Sequence, residues 1–146
     1  MTINFPGKEI VCKTHKVILA MSSSVFEQML FGSMAIKGSE LELPDNNPDA
    51  FKIVLAHCYE VSIEPSGIDE SLEVYMLADK YFLEELKKEC LNQIYSMLDS
   101  KNIVNVFEFS TAFNFDLLVN AFNDHVLHSS SSDILLVIQQ EWLKIF

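Results

Sequence analysis

The chain has 146 residues, of which 49% are apolar, and its formal net charge is −11 at pH 7. This length and composition predict a globular protein with one domain, or one domain followed by a helical extension. With 10 basic residues against 21 acidic ones, binding to nucleic acid or to an anionic membrane is disfavoured, because both need a basic surface to neutralise phosphates. The charge balance therefore favours a protein as the partner.

No apolar stretch reaches membrane-spanning length, and the first residues lack the basic-then-apolar pattern of a signal peptide. We therefore expect an intracellular protein, in the cytoplasm, the nucleus or both.

Cys12, Cys58 and Cys90 are scattered without a C-x-x-C pair, which favours reduced core thiols over a disulfide framework or a zinc site. His125 and His128 lack an acidic or thiol partner at ligand spacing, so we expect neither a metal nor a cofactor.

The first thirteen residues predict a β-hairpin. Thr2–Phe5 alternates between polar and apolar residues, Pro6-Gly7 turns the chain, and Lys8–Lys13 resumes extended structure. Because the first strand begins almost at Met1, we expect no element ahead of it.

Residues 14–30 predict two short helices, separated by Ser22, Ser23 and Ser24. Thr14 is predicted to cap the first helix, and Ser23 or Ser24 the second. Three side chains share one side of the first helix, Ile18, Leu19 and Ser22, and three lie on the other side, Val17, Ala20 and Met21. A helix that is apolar on more than one face is either fully buried or shared with another chain.

A loop with two large apolar residues, Met34 and Ile36, follows this helical pair. Apolar side chains in a loop often mark a contact site, although packing onto the core is an equally good interpretation. The alternation in residues 40–43 predicts a strand with one buried face. Asn47-Pro48-Asp49 then predicts a helix start, with cap, first-turn proline and acid in their favoured places.

This next helix carries a predicted buried stripe, formed by Phe51, Val54, Leu55, Cys58 and Tyr59. Residues 61–63 predict a short strand, and two further helices are predicted, from Asp69 to Tyr81 and over 82–98.

The tail, residues 99–146, is predicted to be helical. Ser100 is predicted to cap a helix that reaches Ala112, and a second helix opens at residues 114–116. The serines 129–132 predict a linker or cap, and a last helix begins near Asp133. That helix is apolar on every side and includes Trp142 and Phe146. Three explanations stay open: it packs back onto the domain, the chain is cut from a longer one, or a partner covers it.

Three segments resemble the BTB/POZ domain: THKVILAMSSSVFEQML at 14–30, ELELPDNNPDAF at 40–51 and MLADKYFLEELKKEC at 76–90. Members typically carry H-K-x-x-L-A-x-x-S-x-x-F, an apolar strand leading to a P-x-x-F helix, and A-D-K-Y followed by Leu and Cys. The resemblance implies an α+β fold for residues 1–98, with a small, mainly antiparallel sheet flanked by helical hairpins. Residues 99–146 are similar to the helical 3-box or the beginning of a BACK segment, which forms an all-helical C-terminal extension.

What the resemblance implies is protein–protein assembly without catalysis. BTB domains commonly form homodimers, and several act as adaptors that hold a substrate protein near cullin-3 in a ubiquitin ligase. The implied dimer residues are Val17, Ala20 and Met21, although ordinary core packing is an open alternative for them. Family dimers often use a helix and a strand ahead of the first hairpin, which this sequence lacks, so we expect a reduced dimer or none.

Cullin-binding members often place an apolar residue, any residue and then Glu in the loop after the second helix. The matching positions here read Met34-Ala35-Ile36, so the apolar residue is present and the Glu is not. The missing carboxylate removes a charge-assisted hydrogen bond of about 1.5–3 kcal/mol. The resemblance places the rest of the cullin surface at Lys80, Tyr81 and Phe82, together with the first tail helix.

Two other function classes compete with the ubiquitin-ligase adaptor. One is a BTB scaffold that oligomerises, or recruits a transcriptional or cytoskeletal partner, without cullin. It is favoured by the missing Glu and by the absence of a MATH or kelch substrate-recruiting domain. The other is an enzyme, for which Cys12 and His15 are the sole nucleophile–base candidates. Strand cysteines in alternating runs are usually core residues, so we expect no catalysis.

Overall fold

A computed structural model of the chain describes residues 1–128 together with Leu136 and Gln140. These described residues form three strands, β1 (Thr2–Asn4), β2 (Val11–Lys13) and β3 (Glu40–Glu42). They also form seven helices, α1 (Lys16–Ser22), α2 (Ser24–Phe31), α3 (Pro48–Cys58), α4 (Ile68–Lys80), α5 (Glu84–Met97), α6 (Ile103–Ala112) and α7 (Asp116–His128). The chain divides into two compact units, Met1–Cys90 and Leu91–Phe146.

The strands form one mixed sheet in the order β2-β1-β3. The predicted hairpin is confirmed, because β1 and β2 are antiparallel with Ile3 opposite Cys12. The second pairing is parallel, with Ile3 opposite Leu41, so the expected mainly antiparallel sheet is a mixed one. Helices α1 and α2 connect β2 to β3, which pairs with the other edge of β1. A connection of this length is needed because parallel neighbouring strands cannot be joined by a tight turn.

Ser23 joins the helical pair to the rest of the first unit. Its hydroxyl accepts the Phe26 N–H at 3.2 Å and donates to the Tyr81 carbonyl at 2.5 Å. Ser23 therefore caps α2. The prediction that Ser23 or Ser24 caps this helix is confirmed for Ser23. The predicted cap of α1 is wrong: His15 occupies that position, and Thr14 is buried with its hydroxyl 3.2 Å from the Tyr59 hydroxyl.

Helix α3 begins as predicted, since the Asn47 side chain accepts the Asp49 N–H at 2.9 Å and Pro48 opens the helix. The predicted stripe is correct for Phe51, Val54 and Cys58, which are buried. Two residues of the stripe are not buried: Leu55 is half-buried, and Tyr59 is exposed because it follows the last turn, where its hydroxyl contacts the start of α1.

Residues 61–63 do not form the predicted strand. Val61 and Ile63 have the right residue types, but a strand also needs a neighbouring strand that accepts its backbone hydrogen bonds. No such neighbour lies beside them among the described residues, and both side chains are exposed.

The core of the first unit contains a cluster of four aromatic rings. Phe51 is fully buried and lies edge-on to Phe5 at 5.6 Å, to Phe26 at 6.3 Å and to Tyr81 at 5.9 Å between ring centroids. Phe26 and Tyr81 are stacked at 4.3 Å. Edge-to-face and offset geometries of this kind are favourable beyond the area that they bury. The cluster connects β1, α2, α3 and the end of α4.

The described part of the second unit contains the helical pair α6 and α7. Phe107 and Phe122 pack together across the pair, with ring centroids 4.6 Å apart, and Ile103, Val106 and Leu118 are buried. The first two of the three predicted tail helices are present as α6 and α7, although Asn102 rather than Ser100 precedes α6. The predicted linker 129–132 and the last helix from Asp133 lie outside the described residues, apart from Leu136 and Gln140.

Candidate protein-interaction site

The outer face of α1 is apolar and open. Val17 is 58% exposed and Met21 83% exposed, Ala20 lies between them half-buried, and Leu19 faces the core. Val17 and Met21 are therefore not ordinary core residues of this chain. The structure brings the three predicted dimer residues together on one helical face.

Tyr59 fixes the start of α1. The His15 backbone N–H donates to the Tyr59 hydroxyl at 3.0 Å, and His15 Nδ1 lies 2.7 Å from the same oxygen. Lys16 donates from Nζ to the Gly38 carbonyl at 2.6 Å. The Tyr59 contacts hold the start of α1 against the end of α3, and the Lys16 contact joins α1 to the loop before β3, while the outer face of α1 stays open to solvent.

A second exposed apolar region follows α2. Met34 is 94% exposed, whereas Ile36 is half-buried and its N–H donates to the Met29 carbonyl at 3.1 Å. Phe31, at the end of α2, is 56% exposed and was missed by the sequence analysis. The sequence contains a signal for this position, because Phe31 lies seven and four residues after the polar Ser24 and Glu27 and so on the same side of the helix.

The third region is the segment that joins α4 to α5, where the prediction for Tyr81 needs correction. Tyr81 is only 1% exposed and its hydroxyl accepts the Asn46 side-chain N–H at 2.6 Å, so its side chain belongs to the core. Its two neighbours remain accessible: Lys80 is exposed and Phe82 is 64% exposed. Tyr81 thus anchors this segment to the core, and its side chain is not part of the exposed surface.

The second and third regions lie at opposite ends of α2. The contact between Ser23 and the Tyr81 carbonyl brings Phe82 to the start of α2, and the Met34 loop leaves its end. An α-helix rises about 1.5 Å per residue, so the eight residues of α2 span about 12 Å. We call the exposed side chains of Phe31, Met34, Lys80 and Phe82, with half-buried Ile36, the α2 surface.

The candidate catalytic pair lacks the features of an activated nucleophile. Burial raises the pKa of the Cys12 thiol, although the nearby Lys52 lowers it in part, so the thiolate is disfavoured. The ring of His15 is directed at Tyr59. Within the described residues, no group of three or more His, Cys, Asp or Glu side chains is placed to hold a metal ion.

Cys58 and Cys90 are buried free thiols, as predicted, whereas Cys12, which was also predicted to be a core thiol, is only half-buried. Burial is the main cause that raises the pKa of Cys90 to about 12, with Glu89 adding to it, and burial also raises the pKa of Cys58.

Among the helices that the structure describes, none has both the length and the apolar composition needed to cross a bilayer.

Comparison with known proteins agrees with the fold. The family model of the BTB/POZ domain matches residues 6–98. The chain is 37% identical over 97 residues to human BTB/POZ domain-containing protein 6. The aligned segment covers 66% of this chain and 18% of that protein. It is 40% identical over 88 residues to the Xenopus tropicalis protein of the same name, covering 60% of this chain and 16% of that protein.

Human BTB/POZ domain-containing protein 3 is 34% identical over 97 residues, covering 66% of this chain and 18% of that protein. The chain thus spans less than a fifth of the length of these relatives. The family match extends over β2, the helical pair α1–α2, the strand β3 and the helices α3 to α5. The mixed sheet, the helical pairs and this match together place the chain in the BTB/POZ domain family.

Proposed function

We propose that this chain is an intracellular protein–protein interaction adaptor that links a substrate protein to a cullin-3 ubiquitin ligase. The BTB domain supplies the α2 surface, and residues 99–146 act as the 3-box-like or BACK-like segment. The observation that carries the proposal is the exposure of Met34 and Phe82 at the two ends of α2. Large apolar side chains exposed on a rigid element are typical of protein-binding sites.

Ile36 sets the strength of this interaction. A Glu at this position is common in cullin-binding BTB domains, and Ile36 supplies no carboxylate to accept a hydrogen bond. Its half-buried side chain follows Met34 directly in the loop and adds apolar area instead. We therefore expect cullin binding in the micromolar range, weaker than that of domains with the carboxylate.

Met34→Asp tests the proposal by calorimetric titration of the whole chain with the N-terminal region of cullin-3. We expect at least a tenfold loss of affinity, because the substitution puts a charge where an apolar side chain is desolvated. Ile36→Glu should increase the affinity by about ten- to a hundredfold.

The matched control is Met21→Asp, since Met21 is a similarly exposed methionine on α1. It should leave cullin affinity within twofold of the wild type. Absence of wild-type binding at tens of micromolar, with the protein folded by circular dichroism, would exclude the adaptor function.

The outer face of α1 favours a second candidate function, a BTB scaffold that oligomerises without cullin. Val17, Ala20 and Met21 form an apolar face that a second copy of the domain could cover, and a stable interface typically buries about 1,600 Å² in total. α1 has only seven residues, so neighbouring elements must contribute to an interface of that size.

Sedimentation velocity at several concentrations tests the scaffold. We expect a concentration-dependent dimer, and we expect the double variant Val17→Asp/Met21→Asp to be monomeric, because two carboxylates would be buried without partners. Met34→Asp is the control here and should dimerise like the wild type. A wild-type chain that stays monomeric at high micromolar concentration would rule out this interface.

A further inference from the structure

The sheet of the first unit has two open edges. Its strand order is β2-β1-β3, so β2 and β3 each have one neighbouring strand, and no other strand lies beside them among the described residues. An edge strand carries unpaired backbone N–H and C=O groups, which a strand of another chain can pair with. The two edges thus form a candidate interaction surface that is separate from the α2 surface and from the outer face of α1.

The hydrogen bonds between β1 and β2 show which backbone groups of β2 are free. Met1 and Thr14 exchange two backbone bonds across this pair, of 2.8 and 2.9 Å. An antiparallel pair bonds at alternate residues, so Cys12 also bonds to β1. The backbone groups of Val11 and Lys13 therefore point away from β1, to the open edge.

The same reasoning applies to the open edge of β3. The Ser39 carbonyl accepts a β1 N–H at 2.7 Å, and the Leu43 N–H donates to a β1 carbonyl at 2.9 Å. Backbone groups alternate in direction along a strand, so every second residue from Ser39 to Leu43 bonds to β1. The backbone groups of Glu40 and Glu42 point to the open edge.

The two edges carry opposite charges. On β2, Lys13 is exposed beside Val11, which is 58% exposed, and on β3 both Glu40 and Glu42 are exposed. None of the ion pairs in the described part of the chain includes these three charged residues. Charged residues normally keep edge strands of identical copies apart. That protection fails where a basic edge meets an acidic one.

The strand directions and the register fit a pairing between these two edges. β1 is antiparallel to β2 and parallel to β3, so a second copy that continues the sheet offers its β2 antiparallel to β3. Its Lys13 then lies opposite Glu40, and its Val11 lies opposite Glu42. All four residues have their backbone groups at the open edges, so the two pairs make four backbone hydrogen bonds. Opposite charges directly across two strands add to the attraction.

We propose that the basic edge of β2 in one copy of this chain pairs with the acidic edge of β3 in another, so that the two sheets become continuous. The contact is head-to-tail, which allows further copies to add. Strands of three residues bury far less than the roughly 1,600 Å² of a stable interface, so we expect a dissociation constant of about 1 mM. The contact therefore acts between chains that another interaction already holds together at a high effective concentration.

Amide–water exchange, measured by NMR on the whole chain, tests the pairing. At about 2 mM protein about half of the edges should be occupied, so the amides of Val11, Lys13, Glu40 and Glu42 should exchange about twofold more slowly than at about 50 µM. Salt at about 0.15 M screens the repulsion between whole chains of net charge −11. The directly opposed charges remain within the Debye length and still attract.

Charge reversal shows whether these two edges make the contact. Lys13→Glu and Glu40→Lys should each abolish the concentration dependence, because like charges then lie opposite each other. The double variant Lys13→Glu/Glu40→Lys restores opposite charges and should behave like the wild type. Lys88→Glu is the matched control, since it makes the same charge change at an exposed position of α5. It should leave the twofold slowing intact.

Two results would overturn the proposal. One is a wild-type chain whose edge amides exchange equally fast at both concentrations. The other is a slowing that survives Glu40→Lys, because two β2 strands would then pair with each other. Neither result concerns the adaptor function, which the Met34→Asp titration tests on a different surface.

Discussion

Replacing Phe51 by Ala is expected to lower the free energy of unfolding by about 3–5 kcal/mol. Phe51 is fully buried and its ring contacts Phe5, Phe26 and Tyr81. Truncation removes the apolar contact area and leaves a cavity that rings from three different elements cannot easily fill. Domains of this size are stable by only about 5–15 kcal/mol, so the variant should be much less stable and possess a far lower urea midpoint.

The matched control is Phe31→Ala, which removes the same side chain from an exposed position at the end of α2. Its unfolding free energy should change by no more than about 0.5 kcal/mol. Urea unfolding followed by circular dichroism measures both variants, provided that the denaturant slope stays constant. Equal effects at the two positions would contradict the assignment of the aromatic cluster as the centre of the core.

Asn46→Ala is expected to lower the free energy of unfolding by about 1–3 kcal/mol. Asn46 is buried, and its amide donates to the Tyr81 hydroxyl at 2.6 Å and accepts from Lys80 Nζ at 2.9 Å. Within the described residues, every buried side-chain polar atom has a hydrogen-bond partner. The substitution leaves the Tyr81 hydroxyl without its donor inside the core, where water replaces it poorly.

A double-mutant cycle with Tyr81→Phe checks this explanation. Removing one partner leaves a buried polar group unpaired, whereas removing both does not. The double variant Asn46→Ala/Tyr81→Phe should therefore be less destabilised than the sum of the two single variants, by about 0.5–3 kcal/mol. Additive effects would show that the two side chains are not coupled through this hydrogen bond.

The candidate surfaces show that residue types can be read from the sequence, whereas the burial of each side chain requires the structure. The sequence indicated Met34, Lys80, Tyr81 and Phe82 as one group through the family resemblance, but it could not distinguish Tyr81 from its neighbours. Only the fold shows that the ring of Tyr81 stacks on Phe26 while Phe82 is directed outward. Adjacent positions after a helix point in different directions, and their exposure depends on what packs against each.

Thr14 and Tyr59 show the same limit within the fold. A threonine before a helix is a favourable cap by local preference, yet Thr14 is buried beside Tyr59. The pairing joins residues 45 positions apart in the chain, and no local pattern reports such a contact. Tertiary packing thus overrode the local preference at α1, while at α3 the local signals of Asn47 and Pro48 were sufficient.

The sequence by itself determined the family, the first hairpin, the helices from α1 to α7 and most of their apolar faces. These features depend on residues close together in the chain, where periodicity, caps and turns act directly. The tertiary structure alone decided the parallel pairing of β1 with β3, the absence of a strand at 61–63 and the burial of Tyr81. Each of these depends on which distant segment lies alongside, and the free energy of that contact is set by packing and shared hydrogen bonds rather than by local preference.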